Sequence, residues 1–354
     1  MPQDLSDSVT GTTELVFPDD ATGTYSLQKR SVYDAEEVRT ELDTEIPQFG
    51  KWMPVEDYAA AIETRLPNRT VTLARTPAAE RELLPEARVA TGLALTPDTL
   101  TTAEHLELFA CTFAGTDHLS LEAFREHDVT VTNASGVHGP NVSEFVIAGI
   151  LAHVHRLAEG RARQERTEWR SYQKPELAGD TVMIVGLGAI GTAVVERLQG
   201  FDVETIGVRQ SPTKGGPTDE VIGPDGEAFA AALARTDHLV LACPLTEATR
   251  GLIGHDEFRV LPSDALLVNI ARGPVVDTDA LVDALRKNLI DGAVLDVTDP
   301  EPLPPDHPLW SFQNVRITPH NAGATPQYYA RRADILATNV ERLRSDDPLE
   351  NVVT

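Results

Sequence analysis

Six residues, Gly186-Leu-Gly-Ala-Ile-Gly191, constrain the fold more than any other stretch of the chain. They follow a β-branched apolar run, Val182-Met-Ile-Val185, and open an amphipathic stretch, Ile190 to Leu198. A strand, a glycine turn and a helix in that order begin a βαβ unit. Gly186 permits the tight turn, Gly188 lets a ligand approach the backbone, and Gly191 lets helix and strand pack closely. The first helical turn, with Ala189 and Ile190, offers unpaired N–H groups and partial positive charge. Such a cradle suits a pyrophosphate, so this stretch predicts dinucleotide binding.

The same alternation runs along most of the 354 residues, a length that suits about two domains of ~150–200 residues. Arg69–Ala74, Arg88–Leu93, Leu106–Thr112 and Val129–Asn133 read as strands, with helices expected over Val55–Leu66, Pro77–Leu84 and Leu119–His127. From Thr181 a second series begins, with strands expected at Val182–Val185, Val203–Val208, Asp237–Ala242, Ala265–Ile270, Gly292–Val297 and Val315–Thr318. Helices at Ile190–Leu198, Glu227–Ala234, Thr278–Lys287 and Pro326–Leu343 complete it. The fold class is therefore α/β, with mainly parallel sheets. Residues 1–23, rich in Ser, Thr, Asp and Pro, are expected to form a loose extension. Asn141 and Glu144 are spaced as a helix cap and its partner. The helix they open is apolar all round until Arg156, which predicts burial on all sides, between the domains or against a second subunit, and is basic and solvated from there to Arg166.

Charge excludes whole classes of partner. The chain has 55 Asp and Glu against 30 Lys and Arg, a net charge of -25. With 41% hydrophobic residues it is not a disordered acidic chain. The charge opposes binding to nucleic acid or to anionic membranes. It suits a salt-rich cytoplasm, where screening weakens carboxylate repulsion. A GC-rich genome would explain the excess of Arg over Lys, but not a charge of this size. The two cysteines, Cys111 and Cys243, allow no disulfide framework or zinc spacing. His153 and His155, two apart on a helix, face different sides, so no metal site is expected. There is no signal-peptide pattern and no run of 18 apolar residues, so a soluble cytoplasmic protein is expected.

Three ionisable residues follow successive expected strands of the second series: Arg272, Glu301 (in the segment that begins at Asp296) and His320. In a doubly wound sheet, ligands bind at that edge. Arg209-Gln-Ser211 directly follows the strand after the glycine turn, with Lys214 nearby. An acidic residue there would bond the ribose 2′-hydroxyl of NAD. An arginine instead suits a 2′-phosphate, which predicts NADP(H) over NAD(H), with NAD(H) use still possible.

From about Leu106 to Thr325 the chain resembles the D-isomer-specific 2-hydroxyacid dehydrogenase family. The resemblance rests on Gly186–Gly191, Cys243–Ile253, Asn269–Asp277, Asp296–Leu303 and Thr318–Gly323. It implies two Rossmann-like, doubly wound parallel-sheet domains with an interdomain cleft. One is a flavodoxin-like substrate-binding domain, residues 1–137 completed by 322–354, and the other a dinucleotide-binding domain, 138–321. It implies that Arg272 grips the substrate carboxylate and polarises the carbonyl, that His320 is the general acid and base, and that Glu301 holds His320 in its charged form. It implies cofactor contacts at Ile270, Asp296, Pro244, Thr249, Ala322 and Gly323, with Asp296 on the nicotinamide carboxamide. It also implies substrate contacts from the backbone of Ala114 and Gly115. The family is usually dimeric through the cofactor domain, so a homodimer is expected, and His138 is a candidate to line the cleft.

The implied reaction is hydride transfer between NADP(H) and a 2-oxo acid or D-2-hydroxy acid. Glyoxylate, hydroxypyruvate, pyruvate and branched 2-oxo acids are candidate substrates. Formate or phosphite oxidation is an alternative, although Glu301 stands where formate enzymes carry Gln. A phosphoglycerate-type activity is another, disfavoured by the lack of chain after Thr354 for a regulatory domain. The alternative outside enzymes is a non-catalytic dinucleotide sensor or corepressor. Arg209 replaces the family's usual acidic residue, and Thr298 its usual aromatic.

Overall fold

The computed structural model describes residues 13–17, 23–28, 55–116 and 118–354. The chain divides into two compact units, one of residues 1–137 and 326–354, the other of residues 138–325.

Among the described residues the first unit holds a six-stranded sheet: β1 (Thr13–Phe17), β2 (Gly23–Gln28), β3 (Thr70–Leu73), β4 (Val89–Gly92), β5 (Leu108–Cys111) and β6 (Thr130–Thr132), in the order β1-β3-β2-β4-β5-β6. β2, β4, β5 and β6 run parallel, while β1 is antiparallel to β2, with Val16 opposite Thr24. β1 corrects the expectation of a loose extension. Its segment, Thr-Glu-Leu-Val-Phe, has the β-branched and aromatic character that favours a strand once a partner is available. The other residues of that stretch, 1–12 and 18–22, lie outside the described residues. Phe109 and Phe124 stack in the core on one side of this sheet, and the C-terminal helix Tyr328–Ser345 packs on the helix Val55–Arg65.

The second unit holds seven parallel strands: β7 (Thr181–Val185), β8 (Glu204–Val208), β9 (Glu220–Ile222), β10 (His238–Leu241), β11 (Leu266–Asn269), β12 (Gly292–Leu295) and β13 (Val315–Ile317). Their order is β13-β12-β11-β10-β7-β8-β9, so the strand order reverses between β7 and β10. Each central strand is apolar on both faces. Met183 and Val185 of β7 join one core cluster, Val182 and Ile184 the other. This two-sided burial belongs to a parallel sheet covered by helices. β9 was not expected, since its three residues carry too little pattern to stand out.

The helix after the crossover starts at Gly139, with His138 as its cap residue, rather than at Asn141. Pro140 takes a first-turn position, where its missing N–H costs nothing. Asn141 therefore lies inside the helix and donates from Nδ2 to the Ala322 carbonyl at 2.6 Å. The helix ends at Val154, because Arg156 adopts a left-handed conformation (φ 48°), and a separate helix, Leu157–Glu165, buries nothing. Within the unit Val146 and Ile150 are fully buried, whereas Glu144 and Ala148 are exposed. The chain returns to the first unit at Pro326 rather than at Ala322, which is buried in the second unit's core beside Val142 and Val146.

Among the described residues, no helix is long and apolar enough to cross a membrane.

Candidate active site

Parallel pairing aligns the strand ends of the second unit. Val185 pairs with Val208, Leu241 with Val185 and with Asn269, Asn269 with Leu295, and Leu295 with Ile317. The residues that follow these positions leave along one edge. The expected residues Gly186 to Gly191, Arg209 to Ser211, Pro244, Thr249, Ile270, Arg272, Asp296, Glu301, His320, Ala322 and Gly323 all lie in the segments that emerge there.

At the glycine turn, Gly186 has φ +106°, and a Cβ on Gly191 would lie 1.9 Å from the Gly186 carbonyl oxygen. Only glycine lets the helix Ala189–Leu198 start this close to β7. A Cβ on Gly188 would meet no atom within 4 Å, and Gly188 and Ala189 are exposed. The backbone N–H groups of that first turn are thus open to a phosphate group. The cradle fits a dinucleotide. On the neighbouring strand end, Arg209 donates from Nη1 to the Gly215 carbonyl at 2.7 Å, which holds it against the turn Pro212–Lys214. Gln210, Ser211 and Lys214 are exposed beside it. Thr249 donates its hydroxyl to the Pro244 carbonyl at 2.7 Å and so closes the turn after β10. Ile270 keeps its side chain in the core, which leaves only its backbone for a ligand.

The Arg272 segment is braced by Asn269. Its Oδ1 accepts from the Ala271 amide at 3.0 Å, and its Nδ2 donates to the Arg272 carbonyl at 3.2 Å. A Cβ on Gly273 would lie 1.9 Å from the Thr298 carbonyl oxygen, so the Arg272 and Glu301 segments are in direct contact. Arg272 itself is exposed.

His320 has φ 49°, with its amide donating to the Asp296 carbonyl at 2.8 Å. Its Nδ1 meets Glu301 Oε1 at 2.7 Å. The hydrogen bond that His320 donates to Glu301 raises the His320 pKa above the ordinary histidine value, and partial burial opposes this without cancelling it. Burial pushes the Glu301 carboxyl upward, but the bond and charge of His320, the Thr298 amide and the Arg272 charge together bring it below its ordinary value. The pair therefore favours imidazolium with carboxylate, and Arg272 is near enough to act on both.

Asp296 is 4% exposed and spans the loop that carries His320. It accepts from the Thr318 hydroxyl at 2.6 Å and from the amides of Asn321 and Ala322 at 3.0 and 2.9 Å. A carboxylate has about four acceptor positions, which leaves room for one more partner. His138 donates from Nδ1 to the Gly323 carbonyl at 3.1 Å and braces the far end of that loop. Sequence reasoning did not mark Asn269 or Thr318 as parts of this site. An Asn or Thr beside a strand end is too common to stand out, and their partners are set by strand pairing.

Cys243 is buried, and burial raises its thiol pKa, as expected of a packed strand end rather than a nucleophile. In the first unit, Ala114 and Gly115 form an exposed turn after β5. The turn is held by Asn133 Nδ2 on the Ala114 carbonyl at 2.6 Å and by the Ala134 amide on the Phe113 carbonyl at 3.0 Å.

Residues 147–322 match the family model of the D-isomer specific 2-hydroxyacid dehydrogenase NAD binding domain. A glyoxylate reductase of Thermofilum pendens is 38% identical over 246 residues, which are 67% of this chain and 72% of that protein. The chain belongs to the D-isomer specific 2-hydroxyacid dehydrogenase family. A D-3-phosphoglycerate dehydrogenase of Methanocaldococcus jannaschii is 32% identical over 75% of this chain and 51% of its own. The crystal structure of a family member from Xanthobacter autotrophicus Py2 in complex with NADPH and MES matches with a TM-score of 0.68. It is 27% identical and covers 86% of this chain and 97% of that one. As a member of this dehydrogenase family, the chain is an oxidoreductase with a nicotinamide dinucleotide cofactor, and a non-catalytic sensor is not favoured.

Proposed function

We propose that the enzyme transfers a hydride between NADP(H) and a small 2-oxo acid, forming or consuming a D-2-hydroxy acid. The observation that carries this reading is the His320–Glu301 pair beside Arg272, on the strand edge that also carries the glycine turn. The nicotinamide supplies or takes the hydride when bound. His320 gives its proton to the C2 oxygen in reduction and takes it back in oxidation. Glu301 keeps that proton in place. Arg272 grips the carboxylate and stabilises negative charge on the oxygen. The exposed amides of Ala114 and Gly115 are assigned to the substrate carboxylate, and the remaining acceptor position of Asp296 to the nicotinamide carboxamide. Relatives named glyoxylate reductase support a small substrate.

The preference for NADP(H) rests on Arg209, held at the strand end by Gly215, and is supported by the NADPH complex of the Xanthobacter enzyme. The deciding experiment is a panel of 2-oxo acids with NADPH and NADH, at low and molar KCl. Turnover of at least one 2-oxo acid with higher kcat/KM for NADPH is expected. A clear NADH preference removes the assignment of Arg209, and no turnover of any 2-oxo acid removes the reading as a whole. Arg209→Asp is expected to shift the NADPH/NADH ratio of kcat/KM towards NADH by at least about tenfold, the worth of a charge-assisted bond.

The raised His320 pKa has a signed consequence. Reduction needs the imidazolium, so its rate falls as pH rises through that raised value. Glu301→Gln deletes the carboxylate charge that holds the proton. The alkaline fall-off of kcat/KM for reduction is then expected at lower pH. A fall-off that stays in place assigns it to a group other than His320.

A further inference from the structure

The first unit contains a buried cation that the proposed chemistry does not use. Arg332, on the C-terminal helix, is 7% exposed. Its guanidinium lies 3.9 Å from the centroid of Tyr58, 5.1 Å from that of Tyr328 and 5.5 Å from that of Tyr329. Its Nη2 is buried and has no hydrogen-bond partner. Among the described residues, no carboxylate lies within ion-pair distance of it. Ring faces offset part of the cost of burying this charge but do not neutralise it. An arrangement this costly calls for a use elsewhere.

Its surroundings indicate where the charge acts. Tyr328, which stands one helical turn before Arg332 and packs under it, donates its hydroxyl to the Thr112 carbonyl at 2.9 Å. Thr112 is the first residue after β5, and the Ala114–Gly115 turn follows directly. The charge of Arg332 also lowers the pKa of the Cys111 thiol at the end of β5, against the larger effect of burial. Through Tyr328 the stack that holds the cation therefore reaches the root of this turn. A chain with a net charge of -25 repels small anions at long range, so a site for one needs local positive charge.

We infer that Arg332 and Tyr328 are positioning residues for the substrate carboxylate, Tyr328 by fixing the Thr112 carbonyl at the root of the Ala114–Gly115 turn and Arg332 by placing an uncompensated positive charge behind it. This rests on the 2-oxo acid reading above. Arg332 touches no substrate. It makes the amides of the turn a better seat for an anion and brings no hydrogen bond of its own.

The test is steady-state kinetics on the full-length enzyme with the fastest 2-oxo acid of the panel, and with oxamate as a non-reacting carboxylate probe. Arg332→Met is expected to raise KM for the 2-oxo acid and Ki for oxamate by about tenfold, with KM for NADPH nearly unchanged and kcat largely kept. Arg332→Lys restores the charge without the planar stack and is expected to recover part of the loss. Tyr328→Phe keeps the ring against Arg332 and removes the hydroxyl that bonds the Thr112 carbonyl. It is expected to raise the same two constants by about fivefold, and it serves where Arg332→Met does not fold. Equal shifts in substrate and cofactor constants, or none in a folded variant, overturn the inference. Absence of wild-type turnover with every 2-oxo acid overturns instead the reading on which it rests.

Discussion

His320→Ala is expected to lower kcat by ~10²–10⁴-fold in both directions, the usual worth of a positioned general acid–base group. Binding of NADPH should hardly change, because the phosphates are assigned to the Gly186–Gly191 turn and not to the His320 loop. Nδ1 is occupied by Glu301, and no described protein group bonds Nε2, which leaves that nitrogen to exchange a proton with a ligand. The left-handed backbone of His320 and its amide bond to Asp296 fix the ring's origin independently of the side chain. The variant should therefore keep the loop and lose only the imidazole. Turnover equal to wild type, measured in both directions, would remove His320 from the mechanism.

Arg272→Ala is expected to lower kcat/KM for the 2-oxo acid by about 10²–10³-fold, through a higher KM and a lower kcat together. One guanidinium is assigned two tasks, holding the carboxylate and stabilising the oxygen as the hydride arrives, so ground state and transition state both lose a partner. Arg272→Lys should recover little, since a point charge cannot make the paired planar contacts of a guanidinium. Because Arg272 is exposed and the segment is braced through Asn269 and Gly273, thermal stability should be nearly unaffected. A variant that loses only NADPH binding would show that Arg272 serves the cofactor instead.

Much of this site was legible in the linear chain, for a physical reason. The glycine turn reports a backbone that no larger residue permits, as the 1.9 Å approach at Gly191 shows. Arg272, Glu301 and His320 follow apolar runs, and parallel pairing brings the ends of such runs to one edge. Arg209 could be located because it directly follows the strand after the turn. The helix start at Gly139 is not legible in the sequence, because Asn141 and Glu144 match a cap pattern that Gly139 and Pro140 pre-empt. The strand Thr13–Phe17 does not stand out in the sequence, because a polar context surrounds five residues whose partner strand supplies the hydrogen bonds.

The sequence by itself determined the class of fold, the dinucleotide cradle and the order of the charged residues along the strand ends. These follow from local backbone sterics and from the period of apolar residues, which neighbouring positions encode. Only the tertiary structure decided which groups those charges meet. Asp296 gathers the Thr318 hydroxyl and two amides more than twenty positions away, Thr298 turns its amide to Glu301, and Arg332 is buried beneath the ring of Tyr58 from the far end of the chain. Such meetings depend on strand register and helix packing, which set distances between residues far apart in sequence. The acidity of the whole chain is plain in its composition. The buried positive charge inferred to offset it near the Ala114–Gly115 turn exists only once the C-terminal helix has packed.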